Sequence, residues 1–213
     1  MIKNNIRRES YLKFLNTWKN RDLIKVLSGV RRSGKSTLLA MFQQDLKEQG
    51  VQDENIIAIN FEYMEFEELT DYRKLHDYVL SKVDKNKKNY VFLDEIQHVQ
   101  NFEKVVDSLY IRDYIDLYIT GSNAFFLSGE LATLLTGRYI EQHVLPLSFQ
   151  EFKQWHTENN PTIQQLSNRD LYAMYTRSSF PYTLAMTNQQ ETYDYLQAVY
   201  ASVMFKDERW IRK

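Results

Sequence analysis

Nine consecutive residues carry the clearest chemistry in this chain: Gly29, Val30, Arg31, Arg32, Ser33, Gly34, Lys35, Ser36 and Thr37. Through Ser36 they spell G-x-x-x-x-G-K-[ST], a spacing whose glycines let successive backbone N–H groups turn into one concavity and hold phosphate. Lys35 is placed to reach the β- and γ-phosphates of a nucleoside triphosphate, and the Ser36 hydroxyl suits Mg²⁺. Taken alone, the run also reads as a surface Gly/Ser turn. A second run, Tyr90-Val91-Phe92-Leu93-Asp94-Glu95, is apolar until it ends in two carboxylates. Asp94 at a strand's carboxyl end would face Ser36 and hold Mg²⁺ through water, while Glu95 would take a proton from an attacking water as general base. The plainer reading is a buried strand capped by solvated acids. A third run, Leu117-Tyr118-Ile119-Thr120, leads into Gly121-Ser122-Asn123. There Ser122 or Asn123 would orient the water or touch the γ-phosphate, unless the tip is an ordinary Asx or Ser turn.

These groups need a scaffold that brings strand ends together. The apolar run 23–27 predicts a strand before the glycine-rich loop. Leu38, Leu39, Phe42 and Leu46 behind it fall at helical spacing, with Gly50 as the stop. Further strands are expected at 56–61, 90–95, 115–120 and 139–145. The run 56–61 is apolar enough to be covered on both faces, and the alternation of 139–145 suggests a sheet edge. Helices are expected at 4–19, 71–83, 102–110 and 125–135. Alternation of strands with helices argues for an open, mainly parallel sheet with right-handed crossovers and a ligand at the strands' carboxyl ends. Beyond Ser148 the pattern is helical. Phe149, Phe152 and Trp155 form one apolar stripe, Leu171 and Tyr175 a second, and Leu196, Val199, Tyr200 and Val203 a third; Pro181 ends or restarts a helix. Glu62, Glu65, Glu67 and Glu68 read as a solvated acidic edge rather than a metal site.

The chain has 213 residues, a net charge of −1 and no cysteine. Disulfides, cysteine-based zinc sites and thiol catalysis are excluded, and a reducing cytoplasm is the expected compartment. The near-neutral charge offers nucleic acid no bulk attraction and leaves only a local patch. No secretory signal and no stretch of membrane-spanning length are visible. The four histidines show no metal-ligand spacing, and no serine–histidine–aspartate arrangement can be read.

The loop Gly-Val-Arg-Arg-Ser-Gly-Lys-Ser, Asp94-Glu95-Ile96-Gln97, Thr120-Gly121-Ser122-Asn123, Leu135-Thr136-Gly137-Arg138 and Pro146-Leu147-Ser148-Phe149 together resemble the prokaryotic AAA-type P-loop ATPases. More narrowly, they resemble the group that carries a C-terminal domain of uncharacterised function. The resemblance implies an α/β P-loop NTPase fold, a five-stranded, mainly parallel sheet sandwiched by helices with a C-terminal helical lid. It implies an ATPase core with an N-terminal helix over 1–150, and a lid region over 151–213 that is incomplete. It implies ATP as substrate, with phosphates on residues 29–37, Mg²⁺ on Ser36 and Asp94, and catalysis by Glu95, Ser122 or Asn123, and Arg138. The Asp94 strand would lie beside the neighbour of the phosphate-loop strand. Arg138 would serve a neighbouring copy's nucleotide in a homo-oligomer, or else pair on the surface with an acid such as Glu141. Two departures stand out: Ser178-Ser179-Phe180-Pro181 replaces a Gly-Gly before Phe-Pro, and the chain stops at Lys213, where relatives continue into a winged-helix region and a second domain. An ATP-binding switch with little turnover and an ATPase coupled to DNA remain the rival readings.

Overall fold

The computed structural model describes residues 6–121, 135, 137–160, 166–186 and 188–211, with 202–211 by backbone alone. The elements are α1 (Glu9–Trp18), β1 (Ile24–Ser28), α2 (Lys35–Glu48), β2 (Ile56–Asn60), α3 (Tyr72–Lys82), β3 (Asn89–Asp94), α4 (Phe102–Tyr110), β4 (Ile115–Thr120), β5 (Tyr139–His143), α5 (Phe149–Asn159), α6 (Asn168–Tyr175) and α7 (Gln189–Ile211). By their contacts the residues form two units. One comprises Glu9–Gly29 and Lys35–Val144; the other comprises the segment ending at Arg8, the loop arc Val30–Gly34 and the chain from Leu145 onward.

In the first unit the strands form one parallel sheet in the order β2-β3-β4-β1-β5. The Asp94 strand lies beside β4, and β4 lies beside β1, as the resemblance implies. Side chains alternate along each strand, and both faces of the central strands are covered. Ile24, Val26, Val91, Leu93, Leu117 and Ile119 join the cluster that includes Leu75, Val79, Val105 and Leu109 of α3 and α4. Leu27, Phe92 and Tyr118 join Leu12 and Leu15 of α1 with Leu38, Phe42 and Leu46 of α2. Phe92 and Tyr118 stack there with centroids 4.8 Å apart.

Caps and turns set the element ends. Asp71 caps α3 by accepting from the N–H groups of Arg73 and Lys74 at 2.9 and 3.0 Å. Gly50 follows α2 with a φ of +91°. The run at 56–61 departs from expectation. Instead of a strand covered on both faces, β2 is an edge strand whose Ala58 is exposed, because the sheet continues on one side only. The other edge is β5, as its alternation predicts. The helix expected at 125–135 lies outside the described residues except for Leu135, which is buried. A charged pair sits in the core: Lys25 and Asp116, 0% and 1% exposed at their side chains, form an ion pair between adjacent strands. Asp116 also accepts from the Asn20 N–H at 2.9 Å and the Tyr118 hydroxyl at 2.8 Å.

The second unit is helical and has its own core of Ile6, Leu147, Phe152, Trp155 and Leu184. Ser148 and Glu151 form a capping box at the start of α5, and Ser167 and Asp170 do the same for α6. Pro181 opens a 3-10 turn, Pro181–Ala185, before α7. Among the described residues, no helix is long and apolar enough to cross a membrane.

Candidate functional site

Strand β1 runs straight into the glycine-rich loop, and the loop feeds α2. Gly29 has a φ of +137°, and a Cβ there would lie 2.2 Å from the Val144 carbonyl oxygen, so only glycine fits against the end of the β5 segment. The arc from Val30 to Gly34 is closed by a hydrogen bond from the Ser33 N–H to the Val30 carbonyl at 3.2 Å, and Arg32 within it takes a φ of +66°. The Ser33 hydroxyl oxygen is buried without a hydrogen-bond partner, the kind of orphan that a phosphate oxygen satisfies. Lys35 begins α2, and a helix N-terminus with its dipole is a setting that suits an anion. Thr37 lies in the same first turn.

In the sheet unit, Lys35 is buried although it is cationic. Its Nζ donates to the Gly29 carbonyl at 3.1 Å and lies 3.7 Å from Glu95 Oε1. Asp94, at the carboxyl end of β3, is 6% exposed. Its carboxylate accepts from Asn60 Nδ2 at 2.9 Å and from the hydroxyls of Thr120 and Ser36. Burial raises the Asp94 carboxyl above its ordinary value of 3.8; the bonds from Thr120 and Ser36 oppose this, and the neighbouring Glu95 carboxylate adds to it. Glu95 leaves the strand in the left-handed region, φ 58° and ψ 51°. A non-glycine residue pays about 1–3 kcal/mol for such a conformation, which persists only where surrounding contacts hold it. Here the Glu95 N–H donates to Thr120 Oγ1 at 2.9 Å, and Gln97 Nε2 donates to the Glu95 carboxylate. Thr120 therefore joins both acids, accepting from Glu95 and donating to Asp94.

Of the residues singled out in the sequence, Gly29, Lys35, Ser36, Asp94 and Glu95 meet at the carboxyl ends of β1 and β3. Val30, Arg31, Arg32, Ser33 and Gly34 form the loop arc. Ser122 and Asn123 lie outside the described residues. Arg138 is not in this cluster. Its carbonyl accepts from the Ile24 N–H at 2.8 Å, at the opposite end of β1, about 16 Å from Gly29 at the usual rise per strand residue. Its guanidinium, 48% exposed, pairs with Asp107 at 2.8 Å, and not with Glu141. Asn60 is a participant that no motif names, and Thr120 and Gln97 stand within quoted motifs that assign them no role. The available signal was positional: Asn60 and Thr120 are polar residues closing apolar strands on either side of β3, and Asn60 is in register with Asp94.

The donors present suit Mg²⁺. Ser36 and Asp94 are oxygen ligands already bonded to each other, and among the described residues no group of three or more His, Cys, Asp or Glu forms a metal cage. Mg²⁺ takes one or two protein oxygens and completes its shell with water and phosphate.

Comparison with known proteins agrees with this geometry. The AAA domain family matches residues 21–153. An uncharacterised protein of Haemophilus influenzae is 40% identical over 209 residues, covering 97% of this chain and 51% of that protein. An uncharacterised protein of Methanocaldococcus jannaschii is 38% identical over 141 residues, covering 64% of this chain and 29% of that protein. The chain thus spans about half, or less, of these relatives' length. The Walker-type ATPase of Pyrococcus abyssi superposes with a TM-score of 0.63 over 99% of this chain and 77% of that one, at 14% identity. That likeness is one of fold, an α/β P-loop NTPase sheet. The match across the glycine-rich loop, both carboxylates and all five strands makes this chain a member of the AAA domain family.

Proposed function

We propose that the chain binds ATP with Mg²⁺ and hydrolyses it by in-line attack of water on the γ-phosphoryl group. The observation that carries this reading is the buried Lys35–Glu95–Asp94 cluster, tied by Thr120, at the start of α2. The N–H groups of residues 29–37 and the Lys35 ammonium take the phosphates. Ser36 and Asp94 would hold Mg²⁺, which would supply charge neutralisation to the phosphates. Lys35 exchanges its contact with Glu95 for one with phosphate, and this frees the carboxylate. Glu95 then accepts the proton of the attacking water as the water oxygen bonds to phosphorus and the bond to the β-bridging oxygen breaks. Ser122 or Asn123 orients that water. Adenine is the base implied by the resemblance. The cytoplasm suits a cysteine-free chain, and the relatives' extra length would include the domain of uncharacterised function.

Steady-state phosphate release tests the proposal. Glu95→Gln should keep ATP binding and slow turnover by about 10²–10⁴, whereas Asp94→Asn should weaken the Mg²⁺-dependent part of binding. Identical behaviour of the two variants in an Mg²⁺ titration would contradict the division of roles.

One observation favours a low-turnover switch as the second reading: Glu95 is engaged by both Lys35 and Gln97. ATP binding with negligible phosphate release, unchanged by added DNA, would select it; stimulation by DNA would select the DNA-coupled ATPase. Arg138 belongs to the proposal only as a group for a neighbouring copy's nucleotide. Arg138→Ala and Lys35→Ala, each inactive alone, should then regain activity when mixed. A fully active monomer insensitive to Arg138→Ala would remove Arg138 from the site.

A further inference from the structure

Arg8 is a basic residue that no motif names, and it is 4% exposed. Its guanidinium forms a fork with Glu151, Nε to Oε1 at 2.8 Å and Nη2 to Oε2 at 3.2 Å. The remaining donors go to backbone carbonyls: Nη1 to Leu145 at 2.8 Å and to Ser33 at 3.2 Å, and Nη2 to Pro146 at 3.2 Å. Glu151 is anchored in turn, since one of its oxygens accepts from the Ser148 N–H at 2.7 Å and from the Ser148 hydroxyl at 2.9 Å. Burial raises the Glu151 carboxyl, but the bonds from Arg8 and Ser148 more than offset this and leave it below its ordinary value of 4.5. The pair is therefore ionised, and the charge of Arg8 is spent on Glu151.

Ser33 belongs to the loop arc. An arc whose N–H groups converge on an anion must turn carbonyls outward, and a buried outward carbonyl needs a donor. Arg8 is that donor for Ser33. A guanidinium supplies it in a fixed plane, with its other hydrogens committed elsewhere, so the carbonyl's direction is set by a rigid fork and not by a flexible stem.

We propose that Arg8 is a positioning residue for the phosphate loop, holding the Ser33 peptide so that the arc is formed before nucleotide arrives. This rests on the reading of the loop as the ATP site. Arg8 acts through the loop's geometry and adds no net charge to the phosphates, which separates it from Lys35.

The test is calorimetric titration of ATP and of ADP, each with Mg²⁺, into wild type, Arg8→Lys and Glu151→Gln, beside a thermal melt of each protein without nucleotide. Arg8→Lys keeps the charge and loses the fork. It should remain folded and bind both nucleotides about 10-fold more weakly, the effect of losing a charged hydrogen bond to the loop, and the factor should be similar for ATP and ADP because both use the same arc. Glu151→Gln gives a change of sign. If Arg8 only orients the loop, loosening its anchor weakens binding; if Arg8 attracts phosphate by charge, removing its counter-ion strengthens binding. Unaltered affinity in folded Arg8→Lys, with only a lowered melting temperature, would overturn the proposal in favour of a structural staple, and tighter binding in Glu151→Gln would overturn it in favour of charge. A wild type that binds no ATP would overturn the site reading itself and this inference with it, whereas a binding wild type with an unaffected Arg8→Lys would overturn this inference alone.

Discussion

Replacing Gly29 by alanine places a methyl carbon 2.2 Å from the Val144 carbonyl oxygen, 3.0 Å from its carbon and 3.2 Å from its nitrogen. Carbon and carbonyl oxygen ordinarily approach to about 3.3 Å, so the two backbones must separate by about 1.1 Å. The Val144 N–H donates to the Ser28 carbonyl at 2.8 Å, so this bond joins the two segments that must separate. Losing it costs about 0.5–1.5 kcal/mol, and the positive φ of 137° adds about 1–3 kcal/mol for a residue with a side chain. The sum is about 1.5–4.5 kcal/mol, a large share of the roughly 5–15 kcal/mol typical of a domain. Gly34→Ala is the internal control. Its φ is +99°, but the added carbon would meet only the Pro181 Cγ, at an ordinary 3.8 Å, so the backbone term of about 1–3 kcal/mol stands alone. Urea unfolding at 25 °C should therefore rank Gly29→Ala below Gly34→Ala, and both below wild type. Equal stability of the two variants would refute the assignment of Gly29 to a close backbone approach.

Two more outcomes follow from buried ionisable groups. Lys25→Met should destabilise the protein by about 3–5 kcal/mol in the same assay, because Asp116 is left charged in the core, and adding Asp116→Leu should restore part of the loss; a single variant as stable as wild type would contradict the pairing. Burial holds the His156 imidazole below its ordinary value of 6.5, so below about that pH the unfolded chain takes the proton first and stability falls until the folded value is passed. His156→Phe, which keeps a ring beside Phe152 and Trp155, should lose less melting temperature than wild type between pH 7.5 and 5.5; an equal loss would assign the pH dependence to other groups.

What the sequence disclosed about the fold was mostly periodic. The apolar spacing of 102–110 and the mostly apolar run 115–120 coincide with α4 and β4 because both are driven by burial of their own side chains. Burial on β2 was misread for the complementary reason: Ile56, Ile57 and Ile59 reveal strand propensity, but edge or centre depends on partners far along the chain. In the candidate site, contiguous residues were legible because the loop 29–37 and the pair Asp94-Glu95 are set by adjacent positions, and the structure brings Gly29, Lys35, Ser36, Asp94 and Glu95 together. The groups that fix those residues come from distant segments. Thr120 closes a strand like many threonines, and only parallel pairing brings its hydroxyl to both acids. Arg8 precedes α1 as one of three basic residues among the first eight, and its role appears only when Glu151 lies beside it, 143 residues later. The left-handed turn at Glu95 leaves no trace in composition, because the contacts that hold it come from Thr120 and Gln97.

The central claim is that the glycine-rich loop and Lys35 form a nucleoside triphosphate site. Calorimetric titration of ATP with Mg²⁺ into wild type and Lys35→Ala tests it most directly. The account predicts saturable 1:1 binding to wild type and binding weakened by orders of magnitude in a folded Lys35→Ala, because the phosphates lose the buried cation that faces them. Equal ATP affinity in the two proteins, or no heat of binding in wild type, would contradict it.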